Sequence, residues 1–318
     1  MNTVSVLFFG STTDSVVVLE RLSSFSHPQY ELKVQAVITQ PARPVGRSQT
    51  VTKTPVQEWA EAHAVTALSF PSNPDKPWLY QDEQTVIDTL ETMTTDLIIS
   101  ASYGQKIPTK LLSDARYGGL NVHPSILPRW RGGDPVPWAI LTGDHQTGVT
   151  VVSLSEKFDE GKIFAQEKVP ITLKDTSDPL RTSLFERGAG LLVTILPEYL
   201  SGKARGTPQK KSDEPRATRL NRDLGFEPWE KITLALTDTG EAARIERKFR
   251  ALHPWPGVWT TITKAQSDSI KEDKRLKILG IHLDNGKLAV DTVQLEGKTP
   301  VRWTQFLAAY SPSLNPRG

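Results

Sequence analysis

The chain has 318 residues, 37% hydrophobic and 23% charged, with a formal net charge of +2 and no cysteine. That length suits about two ordinary domains. The charge balance excludes a whole-chain polycation, and the lack of cysteine excludes disulfides, thiolate nucleophiles and cysteine metal sites. No run approaches the roughly 18 apolar residues of a membrane span. The start, MNTVSVLFFGSTTDS, has neither a basic signal-peptide region nor an Arg-rich transit pattern, so a cytoplasmic protein without a membrane partner is expected.

In chain order, VSVLFFG (4–10) is a buried-strand run and TDSVVVLERLSSF has helical spacing. KVQAVITQ (33–40) reads as a second strand and PVQEWAEAHAV (55–65) as a second helix, with Pro55 well placed at its start. ALSF (67–70), TVIDTLETM (85–93), DLIISASYG (96–104) and TKLLSDA (109–115) continue the alternation. The pattern predicts an α/β fold, a Rossmann-like mainly parallel sheet with helices on both faces, in which ligands sit beyond the carboxyl ends of the strands. After residue 148 two strands flank a KFDEGK segment, and a long helix runs roughly from 177 to 200. The polar, basic stretch 203–218 is the best linker. Beyond it, WTTIT, LKILGIHL and KLAVDTVQLEG suggest a smaller β-barrel-like domain with one helix, GEAARIERKFRAL. The expected division is 1–202, 203–218 and 219–318. Residues 201–222 carry seven Lys or Arg against two acids, and 41–54 carry three basic residues and no acid. Such patches suit a phosphate-rich partner or an ordinary solvated surface equally.

The motif inventory is mostly negative. Phosphate-loop and dinucleotide-binding glycine patterns are absent, as are paired zinc-binding histidines and a serine nucleophile elbow, so no metal is expected. What remains is GLNVHPSILPRWRGGDPVPW (119–138), where Asn121 and His123 close a strand-like run. An amide and an imidazole at a strand end can polarise a carbonyl and stabilise the oxyanion formed on attack. A nearby carboxylate would orient the ring. Asp159, in the FDEGK bend, is the strongest candidate and Asp134, in RGGDP, the runner-up.

These segments resemble the methionyl-tRNA formyltransferase family, whose pattern runs Asn-Val-His-x-Ser-Leu-Leu-Pro-Arg-Trp-Arg-Gly, then Thr-Gly-Val-Thr and an Asp-x-Gly bend. The resemblance selects Asp159 over Asp134 and implies Asn121, His123 and Asp159 as the catalytic set. ITQPARPVGR (38–47) is similar to that family's acceptor-stem loop, DLIISASYGQKIP to a folate-pocket segment, and RALHPWPGVWT to a segment of its C-terminal domain. Departures are FFGSTTDS at the first strand end, SQTVTK where a double-basic run is usual, and GGDP in place of Ala-Ala-Pro.

The resemblance implies transfer of a formyl group from 10-formyltetrahydrofolate, a co-substrate, to the α-amine of initiator methionyl-tRNA, by a monomer. Ser125, Ile126, Leu127 and Pro128 match positions lining the folate site; Arg43, Arg47, Arg129 and Arg131 are the expected tRNA contacts, with the C-terminal domain as RNA clamp. Trp130 could anchor its loop or stack on RNA. A sugar-nucleotide formyltransferase is the alternative: it would keep the Asn–His–Asp set but need neither the basic loop nor the C-terminal domain.

Overall fold

The computed structural model describes residues 1–45, 49–210, 213–267 and 269–312; Arg47 lies outside the described residues. The chain divides into two compact units. The first comprises 1–135, 146–170 and 181–217; the second comprises 136–145, 171–180 and 218–318.

Unit one is built on β1 (Asn2–Phe9), whose run of apolar residues is buried on both faces, as a central parallel strand requires. Leu7 and Phe9 face one side with Ile38 and Ile98; Val6 and Phe8, on the opposite side, are equally buried. Helix α1 (Thr13–Ser23) starts at Thr12, whose hydroxyl accepts the Ser15 amide in a capping box. There follow β2 (Tyr30–Thr39), the hairpin strands β3 (Arg43–Val45) and β4 (Thr50–Thr52), α2 (Pro55–Ala62) and β5 (Thr66–Ser69). Pro55 occupies the first turn of α2 and the Thr54 side chain caps it, as the sequence predicts. Next come α3 (Glu83–Glu91), β6 (Leu97–Ala101), α4 (Thr109–Asp114), β7 (Gly119–His123) and the short β8 (Arg131–Gly132). The set is completed by β9 (Gln146–Ser153), β10 (Ile163–Pro170), α6 (Ser177–Leu200), which enters unit one at Arg181, and β11 (Arg216–Ala217); α5 (Pro135–Thr142) falls almost wholly in unit two.

Seven of these strands form one sheet in the order β10-β9-β7-β6-β1-β2-β5. The five from β5 to β7 are parallel, while β9 is antiparallel to both β7 and β10. The expected α/β architecture is therefore present. Helix α6 approaches the β7–β9 side closely at Gly188, where a Cβ would fall 2.5 Å from Val122 and 2.6 Å from Val149.

Unit two contains α7 (Trp229–Ala235), α8 (Thr239–Leu252), β12 (Val258–Ile262), β13 (Lys274–Asp284), β14 (Lys287–Leu295), β15 (Val301–Arg302) and α9 (Trp303–Tyr310). The strands form an antiparallel sheet in sequence order. An Asn285-Gly286 turn, both residues at positive φ, joins β13 to β14 with the twist a tight hairpin favours. Ile232, Ile245, Leu276, Val293 and Phe306 form its core. Among the described residues after 218, three α-helices are present where the sequence showed one: α7 and α9 have seven and eight residues, too short for a clear periodicity.

Candidate active site

Strand β7 pairs with β6 on one side and β9 on the other, so its last residues are fixed by two ladders. Strand alternation puts Asn121 and His123 on the same face. His123 is 4% exposed and Asn121 half-buried. The chain between β9 and β10 returns Asp159 to this point, with φ +59, a conformation Asp tolerates better than most residues.

Asp159 is the centre of the cluster. Its Oδ1 lies 3.4 Å from His123 Nδ1 and accepts from Asn121 Nδ2, also at 3.4 Å. Its Oδ2 accepts the Gly132 amide at 2.8 Å. His123 Nε2 lies 3.0 Å from the Trp130 carbonyl. Both ring nitrogens therefore face oxygen acceptors, and a ring protonated on both satisfies both. The carboxylate and ring are almost sealed, with side chains 9% and 5% exposed. The acid beside His123 is thus Asp159, the residue the family spacing selects, and not Asp134.

The 124–132 loop is held by side chains of its own and of β9 and β10. The Ser125 hydroxyl donates to the Arg129 carbonyl at 2.8 Å, and the Ser125 carbonyl accepts from Thr150 at 2.6 Å. Gln166 donates to the Leu127 carbonyl and to Thr150. Ser125 and Leu127 are buried within this frame, whereas Ile126 and Pro128 are half-buried. Trp130 is 4% exposed at φ +60, unusual for a bulky residue, so it anchors the loop rather than offering a stacking face.

The four arginines expected at an RNA surface fare differently. Arg43 is exposed on β3. Arg129 stacks over Trp130 and pairs with Glu214 at 2.9 Å. Arg131 is turned inward: its side chain is 12% exposed, it donates through Nε and Nη2 to Gln209, and it lies 3.9 Å from Glu160.

Of the stretch 203–218, read from sequence as linker, the described residues 203–210 and 213–217 fold within unit one as a strap. Thr207 bridges Ile163, Trp130 donates its amide to Pro215, and β11 pairs with β8. Gln209 donates to the Asp159 and Gly161 carbonyls. Sequence reasoning missed Gln209, the Trp130 carbonyl and the Gly132 amide. Backbone groups carry no residue signature, and TPQKK gives no chemical pattern; only the glycine pair after Arg131 hinted at a close backbone approach.

Residues 3–196 match the model for formyl transferase, and 239–288 that for the formyl transferase C-terminal domain. Over 320 residues the chain is 33% identical to methionyl-tRNA formyltransferase of Enterococcus faecalis, covering 95% of each. Over 329 residues it is 35% identical to that of Listeria monocytogenes, covering 98% of this chain and 97% of the relative. The chain belongs to the methionyl-tRNA formyltransferase family. It is a formyl-transferring enzyme. Among solved structures, methionyl-tRNA formyltransferase from Clostridium thermocellum aligns with TM-score 0.54 at 14% identity, covering 92% of this chain and 98% of that one. An N-formyltransferase from Helicobacter canadensis, in complex with folinic acid and dTDP-3-aminofucose, aligns with TM-score 0.59 at 17% identity, covering 89% and 88%. At those identities the two likenesses concern this formyltransferase's fold alone.

Proposed function

We propose that this formyltransferase moves the formyl group of 10-formyltetrahydrofolate to the α-amine of methionine on initiator methionyl-tRNA, using Asn121, His123 and Asp159. The observation that carries the reading is the convergence of an amide, an imidazole and a nearly sealed carboxylate at one strand end, in a chain whose relatives bear that enzyme's name over nearly its full length.

An α-amine of pKa about 7.7 to 8 has an appreciable neutral fraction at neutral pH. The neutral amine attacks the formyl carbon, and negative charge grows on the formyl oxygen. Asn121, through its second amide hydrogen, donates to that oxygen, a fixed donor worth about 3 kcal/mol. Both His123 nitrogens already face protein oxygens, so the protonated ring acts chiefly by its charge. This differs from the direct oxyanion stabilisation by the imidazole that the sequence suggested. Asp159 stabilises that ring and takes the excess amine proton through a water. As the carbon–N10 bond breaks, that proton passes from Asp159 through the water to N10, leaving formylmethionyl-tRNA, tetrahydrofolate and an ionised Asp159. Ile126 and Pro128 offer contact surface to the donor, while Ser125 and Leu127 hold the loop that presents them. Arg43, Arg47, the basic stretch 203–218 and the C-terminal unit meet RNA phosphates.

Incubation with 10-formyltetrahydrofolate and charged initiator tRNA, followed by quantification of formylmethionine, tests the assignment. Efficient transfer to a dTDP-amino sugar with none to methionyl-tRNA would establish the small-molecule alternative instead.

A further inference from the structure

Gln209 lies fifty residues beyond Asp159, in the strap, yet its amide makes four contacts at the site's edge. Its Oε1 accepts from Arg131 Nε at 3.1 Å and Nη2 at 2.8 Å. Its Nε2 donates to the Asp159 carbonyl at 2.7 Å and the Gly161 carbonyl at 2.8 Å. The amide's orientation is fixed by chemistry: guanidinium donors demand the oxygen and carbonyl acceptors the nitrogen. All three of the amide's partner residues belong to segments that reach the catalytic carboxylate. Asp159 and Gly161 form the bend itself, and Arg131 precedes Gly132, whose amide holds Asp159 Oδ2.

This bend needs such a restraint. Asp159 sits at φ +59, and no regular ladder pairs 155–160. At Gly161 a Cβ would fall 1.8 Å from the Ser153 carbonyl oxygen, so the chain passes very close to β9. We propose that Gln209 is a positioning residue, which with Arg131 clamps the 159–161 backbone and so sets the aim of the Asp159 carboxylate at His123 and Asn121. The inference rests on the reading of Asp159 as catalytic. A misplacement of about 1 Å in such a group costs on the order of 10²-fold in rate.

The test uses the full chain and four variants: Q209A, Q209E, D159N and Q209E/D159N. Glutamate keeps an acceptor for Arg131 but sets a carboxylate oxygen against two carbonyls, so it breaks only the arm that reaches Asp159. Q209A and Q209E are expected to lower kcat roughly 10- to 100-fold. The KM values for donor and methionyl-tRNA should stay within about two-fold, and the Q209E melting temperature should stay near that of the unaltered chain. In the D159N background, Q209E should cost less than about two-fold more, because the clamp acts through that carboxylate. Unaltered kcat in Q209E, beside an inactive D159N, would overturn the clamp and leave the catalytic acid standing. So would a full multiplicative loss in the double variant, a rise in KM in place of a fall in kcat, or a Q209E chain that fails to fold. Unaltered kcat in D159N would overturn the acid assignment, and the clamp with it.

Discussion

At the residue scale the proposed chemistry turns on Asp159. Its carboxylate accepts from Gly132 and Asn121 and faces His123, so Asp159→Asn preserves size and one acceptor but removes the charge opposite the ring. Turnover is expected to fall by about 10² or more, within the usual range for loss of acid–base function. Asp134→Asn should change it only a few-fold, because the carboxylate beside His123 is not Asp134. Steady-state kinetics of the two variants checks the assignment, and a reversed order would refute it. This pairing was legible in the sequence for a specific reason. Asn121 and His123 sit two apart on a strand, and FDEGK carries the composition of a sharp bend, while family spacing chose between the acids. The Trp130 and Gly132 backbone contacts were not legible, since a carbonyl or amide enters the site by fold alone.

At the element scale the β8–β11 pair closes the loop beside the acid. Gly132 adopts φ +121, and a Cβ there would fall 2.3 Å from the Ala217 carbonyl oxygen. Gly132→Ala must therefore move backbone, at a cost of about 1–3 kcal/mol, and should lower both the melting temperature and turnover. A thermal melt beside a rate measurement would show the two falling together. In unit two, Glu227 is 3% exposed. Burial alone would push its carboxyl pKa up, but Arg244 and Lys248 outweigh it and hold the pKa below the usual 4.5. Because the folded value lies below the unfolded one, this ion-pair network stabilises fully above about pH 4.5. Its contribution fades as pH falls through the lower folded value. Equilibrium unfolding from pH 7 to 3 should therefore show an acid-dependent loss of stability that Glu227→Gln reduces. Equal pH slopes for the two chains would exclude Glu227 as a source. The regular elements of unit one were readable because long apolar runs and caps such as Thr54-Pro55 specify them locally. Two-residue strands like β8 and β11 were not, because a partner distant in sequence creates them.

At the scale of the whole molecule, the sequence suggested a catalytic half, a basic linker and a C-terminal domain. In the structure Thr207, Gln209, Pro215 and Ala217 of that stretch brace unit one, and under the proposed function its charges also meet RNA. A chain ended near Ser201 loses that brace, so its turnover should fall toward any acceptor, not only toward tRNA. The RNA reading makes its own demand. The kcat/KM for methionyl-tRNA should fall steeply with salt, by a logarithmic slope of up to about 0.9 per neutralised phosphate, while the KM for the folate donor stays nearly constant. A flat salt profile would remove phosphate contact from the account.

The central claim is that the Asn121–His123–Asp159 cluster transfers a formyl group to the amine of methionyl-tRNA. Single-turnover transfer of labelled formyl from 10-formyltetrahydrofolate to charged initiator tRNA, with the unaltered chain and with Asp159→Asn, tests it most directly. The account predicts rapid formylmethionine formation by the first and a rate at least about 10²-fold lower for the second, with donor binding retained. Equal rates for the two chains, or no formylmethionine from the unaltered one, would contradict it.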